Sequence, residues 1–137
     1  MPERQVLAQC DPPFDWSYTN MELDDITDTW SAGDRISITG KLTINESINL
    51  DNLYFVMSPN ASIEVTGSST IVNAEGGTEF FSCEQQWLGI SVINGATVKF
   101  KETTRIKDAW IGLRFYQGAN ATNSELESTQ FINNTHG

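Results

Sequence analysis

The chain has 137 residues, 39% of them hydrophobic, and carries 18 acidic against 8 basic side chains for a net charge of −10. That length bounds it to one domain with a slender core, and the acidity argues against nucleic acid as a partner. The charge is unevenly placed: residues 1–86 hold 14 acids and 3 bases, a net of −11, while residues 87–137 hold 4 acids and 5 bases, a net of +1.

Met1 to Gln9 has no apolar core of the kind a signal peptide carries, and no stretch approaches the length of a membrane span. Residues 1–33 match nothing later in the chain. Pro12-Pro13 precludes regular structure locally, and Phe14, Trp16, Ile26 and Trp30 supply apolar surface, so this segment reads as an N-terminal cap. No cofactor is expected. Calcium is the one ion for which carboxylates gather, in the run Glu22 to Asp28, although their spacing matches no recognisable oxygen-ligand loop.

From residue 34 onward apolar residues alternate in short runs: Ile36 and Ile38, Leu42 and Ile44, Ile63 and Val65, Ile90 and Val92, Val98 and Phe100, Leu113 and Phe115. Period two, with β-branched enrichment and Gly, Asn and Ser between runs, predicts short strands and no helix. The runs also repeat. Lys41–Ile44 falls on Ser62–Val65 at an offset of 21, Trp87–Val92 on Trp110–Phe115 at 23, and Glu102–Ile106 on Glu127–Phe131 at 25. A longer ungapped match lays Ala61–Ala74 over Ala96–Ala109 at 35, which exceeds 23 by 12. The simplest reading is a 23-residue unit with a 12-residue loop excursion at 75–86. Short strands recurring at this period without crossover helices predict an all-β coil of parallel strands, a β-helix of about four to five turns over 34–137. Asn52, Asn73, Asp108 and Asn133 each stand two residues past an inward apolar residue, as a column of corner residues able to form a side-chain ladder.

With these features the chain resembles the right-handed parallel β-helix repeat proteins of the pectin-lyase-like class, in particular secreted surface proteins of Bacteroidota. The phrases Trp-x-Gly-Ile … Gly-Ala, from Trp87 to Ala96, and Ser-Thr-x-Phe-x-Asn-Asn-x-x-Gly, from Ser128 to Gly137, carry the resemblance. They are specific for architecture and weak for activity. The resemblance implies a secreted or cell-surface protein, and in that setting Cys10 and Cys83 invite a disulfide between cap and excursion, the alternative being two free thiols.

With Leu88, Ile90 and Val92 pointing inward, Trp87 and Trp110 are expected to stand one above the other outside, with Arg114 on the same exterior. They form either a platform for sugar rings or a pair sealing a corner. Enzymes of this class place several acids, or acids and an arginine, on one exposed sheet. Here the comparable outward set is Ser91 and Arg114, no paired carboxylates are found, and no catalytic residue is assigned. Glu64 and Lys99 are expected to share one outward column. Gly137 aligns with Gly112, so the last turn is expected to end open, either continued by further repeats or covered by another chain. The functional expectation is a non-catalytic, adhesin-like scaffold whose candidate ligand is an extracellular polysaccharide or cell-surface glycan; the alternative is a fragment of a polysaccharide lyase or glycoside hydrolase whose active groove lies in missing turns.

Overall fold

A computed structural model describes residues 10, 12–116 and 118–136. They form an all-β parallel solenoid of about five turns. Strand β1 (Trp16–Glu22) lies along β2 (Arg35–Ile44), and the chain then climbs three walls per turn. The first wall stacks the second half of β2 under β5 (Ser62–Thr66), β8 (Gly89–Ile93) and β11 (Leu113–Phe115). The second stacks β3 (Ile48–Asp51), β6 (Ile71–Glu75), β9 (Thr97–Phe100) and β12 (Glu125–Leu126). The third stacks the first half of β2 with β4 (Tyr54–Met57), β7 (Glu79–Phe81), β10 (Arg105–Lys107) and β13 (Gln130–Ile132).

Alternation places every second side chain inside. Ile36, Leu42, Leu50, Phe55, Ile63, Val72, Phe80, Ile90, Val98 and Ile106 are all buried, and each such side chain contributes roughly 1.5–3 kcal/mol. Phe55 stacks on Phe80 with centroids 4.9 Å apart, Phe100 follows at 6.2 Å, and Trp30 closes the column edge-on at 5.6 Å. Residues 16–30 thus lie over part of the coil's first end, β1 along β2 and Trp30 on Phe55. This segment is more regular than expected, because β1 is itself a strand crossing two walls, with a register shift between Thr19 and Met21. Asn20 sits there at φ 50° against Gly40 at φ 75°, where a Cβ would lie 2.1 Å from Asn20 Oδ1. Both strands turn the corner at this contact.

The expected repeat needs correction. The offset of 35 superposes β5 on β9 and β6 on β10, which are strands of different walls. Residues 75–86 are consequently not an excursion, since they include β7, a rung of the third wall paired with β4. The offsets of 21, 23 and 25 are by contrast the register between successive turns, so the full-turn repeat stands and only the match at 35 is out of phase by one wall. Asn73 is likewise no corner residue: it lies within β6, opposite Asn49 and Lys99. Asn52, Asp108 and Asn133 do turn corners, at φ of 54°, 64° and 57°. Asn52 follows the second wall, whereas Asp108 and Asn133 follow the third, where Asn133 Nδ2 donates to Asp108 Oδ1 at 2.8 Å.

A ladder the residue pattern did not single out runs inside the corner between the second and third walls. Thr78 Oγ1 donates to Glu75 O at 2.8 Å and accepts from Leu53 N at 3.2 Å. Thr104 Oγ1 donates to Lys101 O at 2.8 Å, and Thr129 Oγ1 to Phe100 O at 3.1 Å. Thr78 and Thr104 are fully buried, so their hydroxyls need these partners, and they add a side-chain bond to corner carbonyls such as Glu75 O, which also accepts from Asn52 N–H.

Cys10 and Cys83 are joined in a disulfide, as expected. With Phe14 they line the outer face of the third wall beside Val56, which is buried although it points outward. The bond thus binds the cap's first residues to the flank of the coil.

Candidate functional site

The exterior corner between the third and first walls is built by one backbone irregularity. Trp87 bridges to Ala109, an offset of 22, whereas Ile90 pairs with Leu113, an offset of 23. The extra residue lies on the later turn, between Ala109 and Leu113, and Gly89 faces it at φ 113°, in a position where a Cβ would meet Ile111 O at 1.6 Å. A shift of one residue exchanges the two faces of a strand. Trp87 therefore points inward and is 0% exposed, its Nε1 donating to Lys107 O at 2.6 Å. Leu88 and Trp110 point outward, each 49% exposed.

The expected stack of two exterior tryptophans is thus overturned: Trp87 belongs to the core, and Trp110 is the one available to a ligand. His136 packs edge-on against Trp110 with ring centroids 5.2 Å apart. Gln86 Nε2 donates to Thr135 Oγ1 and to Ala109 O. This corner therefore presents an indole and an aliphatic side chain beside an imidazole, an amide and a hydroxyl. Arg114 is exposed, as expected, on the first wall opposite Ser91, and its guanidinium lies over the Tyr116 ring at 4.6 Å. Four residues of strand place it up to about 13 Å from Trp110, so only an extended ligand would touch both.

Other expected groupings disperse. Glu64 pairs with Lys41 at 3.5 Å on the first wall, and Lys99 with Glu125 at 3.7 Å on the second, so Glu64 and Lys99 do not share a column. The acidic run meets separate partners: Asn45 Nδ2 donates to Glu22, and Tyr18 OH donates to Asp28 at 2.8 Å. Among the described residues no group of three or more His, Cys, Asp and Glu side chains is placed to hold a metal ion.

The coil does create groupings that linear reading missed. Glu75 and Glu102 share a hydrogen bond, which, with desolvation and the charge of Glu102, raises the Glu75 carboxyl above the usual carboxylate range. Only the alignment of adjacent turns brings these two acids together, and no local motif marks them. A polar groove of about 480 Å³ crosses the second wall between Thr97, Lys99, Asn120, Asn123 and Glu125. A cleft of about 470 Å³ lies under the cap, where Trp30 faces Ile48 and Leu53.

No helix among the described residues is long and apolar enough to cross a membrane. No protein-family model, curated protein or solved structure gives a significant match to this chain.

Proposed function

We propose that the chain is a non-catalytic module of an extracellular or cell-surface protein, a pectin-lyase-like β-helix that serves as an adhesin-like scaffold and binds glycans at the Trp110 corner. The half-exposed indole of Trp110 carries this reading. Aromatic faces with a polar rim suit the alternating C–H and hydroxyl surfaces of sugar rings, and Leu88, His136 and Gln86 furnish such a rim. The disulfide supports an oxidising compartment outside the cytosol.

A glycan-array screen of the wild type and Trp110→Ala tests it. The expected result is recognition of one glycan class, weakened at least tenfold by Trp110→Ala while circular dichroism stays unchanged. Binding indifferent to Trp110, or no binding at all, overturns it.

The second reading, part of a polysaccharide lyase or hydrolase, is favoured by the Glu75–Glu102 carboxyl pair, because two neighbouring carboxyls, one raised above the usual carboxylate range by the other, are the raw material of general acid–base catalysis. Incubation with pectate and alginate, followed by assay for new chain ends, separates the two. Turnover abolished by Glu75→Gln would establish the enzyme reading.

A further inference from the structure

β1 covers the coil's first end only over the third and first walls; the second wall ends on β3, whose sole strand partner among the described residues is β6. In coil order the residues after β1 belong over β3. Instead they form a short 3-10 turn at Leu23–Asp25 and then a loop. That loop is fastened at both ends of β3, by Asp24 N–H to Asn45 Oδ1 at 3.2 Å and by Gly33 N–H to Asn52 O at 2.6 Å. Between these anchors it stands away from the strand and leaves the 470 Å³ cleft.

Hydrogen-bond alternation shows what faces the cleft. Asn52 N–H donates down to Glu75 O at 3.1 Å, so residues 48, 50 and 52 address β6. Along a parallel strand alternate residues address opposite neighbours, which directs the N–H and C=O groups of Asn49 and Asp51 towards the open edge. The floor is apolar, from Trp30, Ile48 and Leu53, and the rim holds Asp28, Glu46 and Asp51, with no lysine or arginine among the lining residues.

We infer that this edge is a docking site for a short extended segment of a partner protein in which apolar and basic residues alternate. An unpaired sheet edge is a template for another strand. A strand added in parallel places its inward side chains against the apolar floor of Ile48, Leu53 and Trp30, Leu50 being already covered, and its outward ones beside Asn49 and Asp51. The first set must be apolar to continue the core, and the second meets carboxylates without a counter-charge in the cleft, which selects lysine or arginine. The backbone bonds position the segment, and the alternation specifies it.

The probe is an acetylated, amidated Val-Lys-Val-Lys-Val peptide, titrated into isotope-labelled protein with binding read by calorimetry and amide exchange by NMR. The expected result is saturable binding, at least tenfold slower exchange at the Asn49 and Asp51 amides, and at least tenfold weaker affinity for the exposed double variant Glu46→Lys/Asp51→Lys. A peptide of the same charge with N-methylated amides is expected not to bind. Absence of binding, equal binding of the N-methylated peptide, or unchanged exchange at Asn49 and Asp51 would overturn the inference, the last two reducing it to attraction by an acidic surface. Slow exchange at these amides in dilute protein without peptide would assign the edge to the chain's own residues. Slowing only at high protein concentration would assign it to a second copy, and either result also overturns the proposal.

Discussion

Gly89 decides which of two similar tryptophans meets solvent. Because only glycine holds φ 113° that close to Ile111 O, the strand passes from Trp87 to Ile90 in one residue fewer than the next turn takes from Ala109 to Leu113, and Trp87 and Trp110 acquire opposite fates. Trp87→Ala is expected to cost about 3–5 kcal/mol by cavity formation, with the Lys107 carbonyl left unpaired as well. Trp110→Ala is expected to change stability by no more than about 0.5 kcal/mol, as surface substitutions usually do. Denaturant midpoints of the two variants measure the contrast directly. Thr78 offers a second test at this scale. Thr78→Val preserves shape but removes the hydroxyl that serves Leu53 N–H and two carbonyls, so a loss of about 1–3 kcal/mol is expected from the same measurement.

At the scale of elements, the cap is held by a relay rather than by apolar cover alone. Trp30 Nε1 donates to Tyr18 OH at 3.0 Å, and Tyr18 OH donates to Asp28. Burial above all pushes the Tyr18 hydroxyl up to about 12; the Trp30 bond opposes it, and the hydrogen bond to Asp28 and then the Asp28 charge add to the rise. Below pH 10 the tyrosine is protonated in both folded and unfolded chains, and its contribution is complete. Between about 10 and 12 the unfolded chain ionises while the folded one does not, so stability falls as pH rises through that window. Thermal unfolding followed from pH 9 to 12 is expected to show this decline, and Tyr18→Phe is expected to flatten it. The last turn is the opposite case. Leu126 and Phe131 pair with Phe100 and Ile106 and so occupy inward positions, yet both are exposed, since no further rung among the described residues lies over them.

For the molecule as a whole, the disulfide links residues 73 apart and so joins the cap to the flank of a later turn. Removing a crosslink that closes a loop of this size restores unfolded-state entropy worth about 4 kcal/mol in the chain-entropy account. Cys83→Ser, or reduction with the fold otherwise intact, is expected to lower the unfolding midpoint accordingly, as calorimetry would read. The same large-scale geometry creates the features with chemical content. The Glu75–Glu102 pair, the threonine ladder and the open edge of β3 all join residues 25 or more apart or leave a strand unpartnered, and none has a local signature.

Short-range physics made much of the fold legible. Alternation of Ile36 with Ile38 or Val98 with Phe100 requires strands with one buried face, and residues tolerant of positive φ, such as Asn52 and Asp108, mark where those strands must turn. The recurrence of both makes a stacked coil the economical solution. What linear reading could not settle was phase. Strands of different walls carry similar patterns, so self-similarity matches a stretch to one lying a turn and a third further on as readily as to the one stacked directly on it. That ambiguity misplaced Asn73 and turned β7 into an apparent excursion. Only the hydrogen-bonded register between turns removes it. The one-residue change of offset across Gly89 then reverses inside and outside for Trp87, because a side-chain period of two leaves no intermediate orientation.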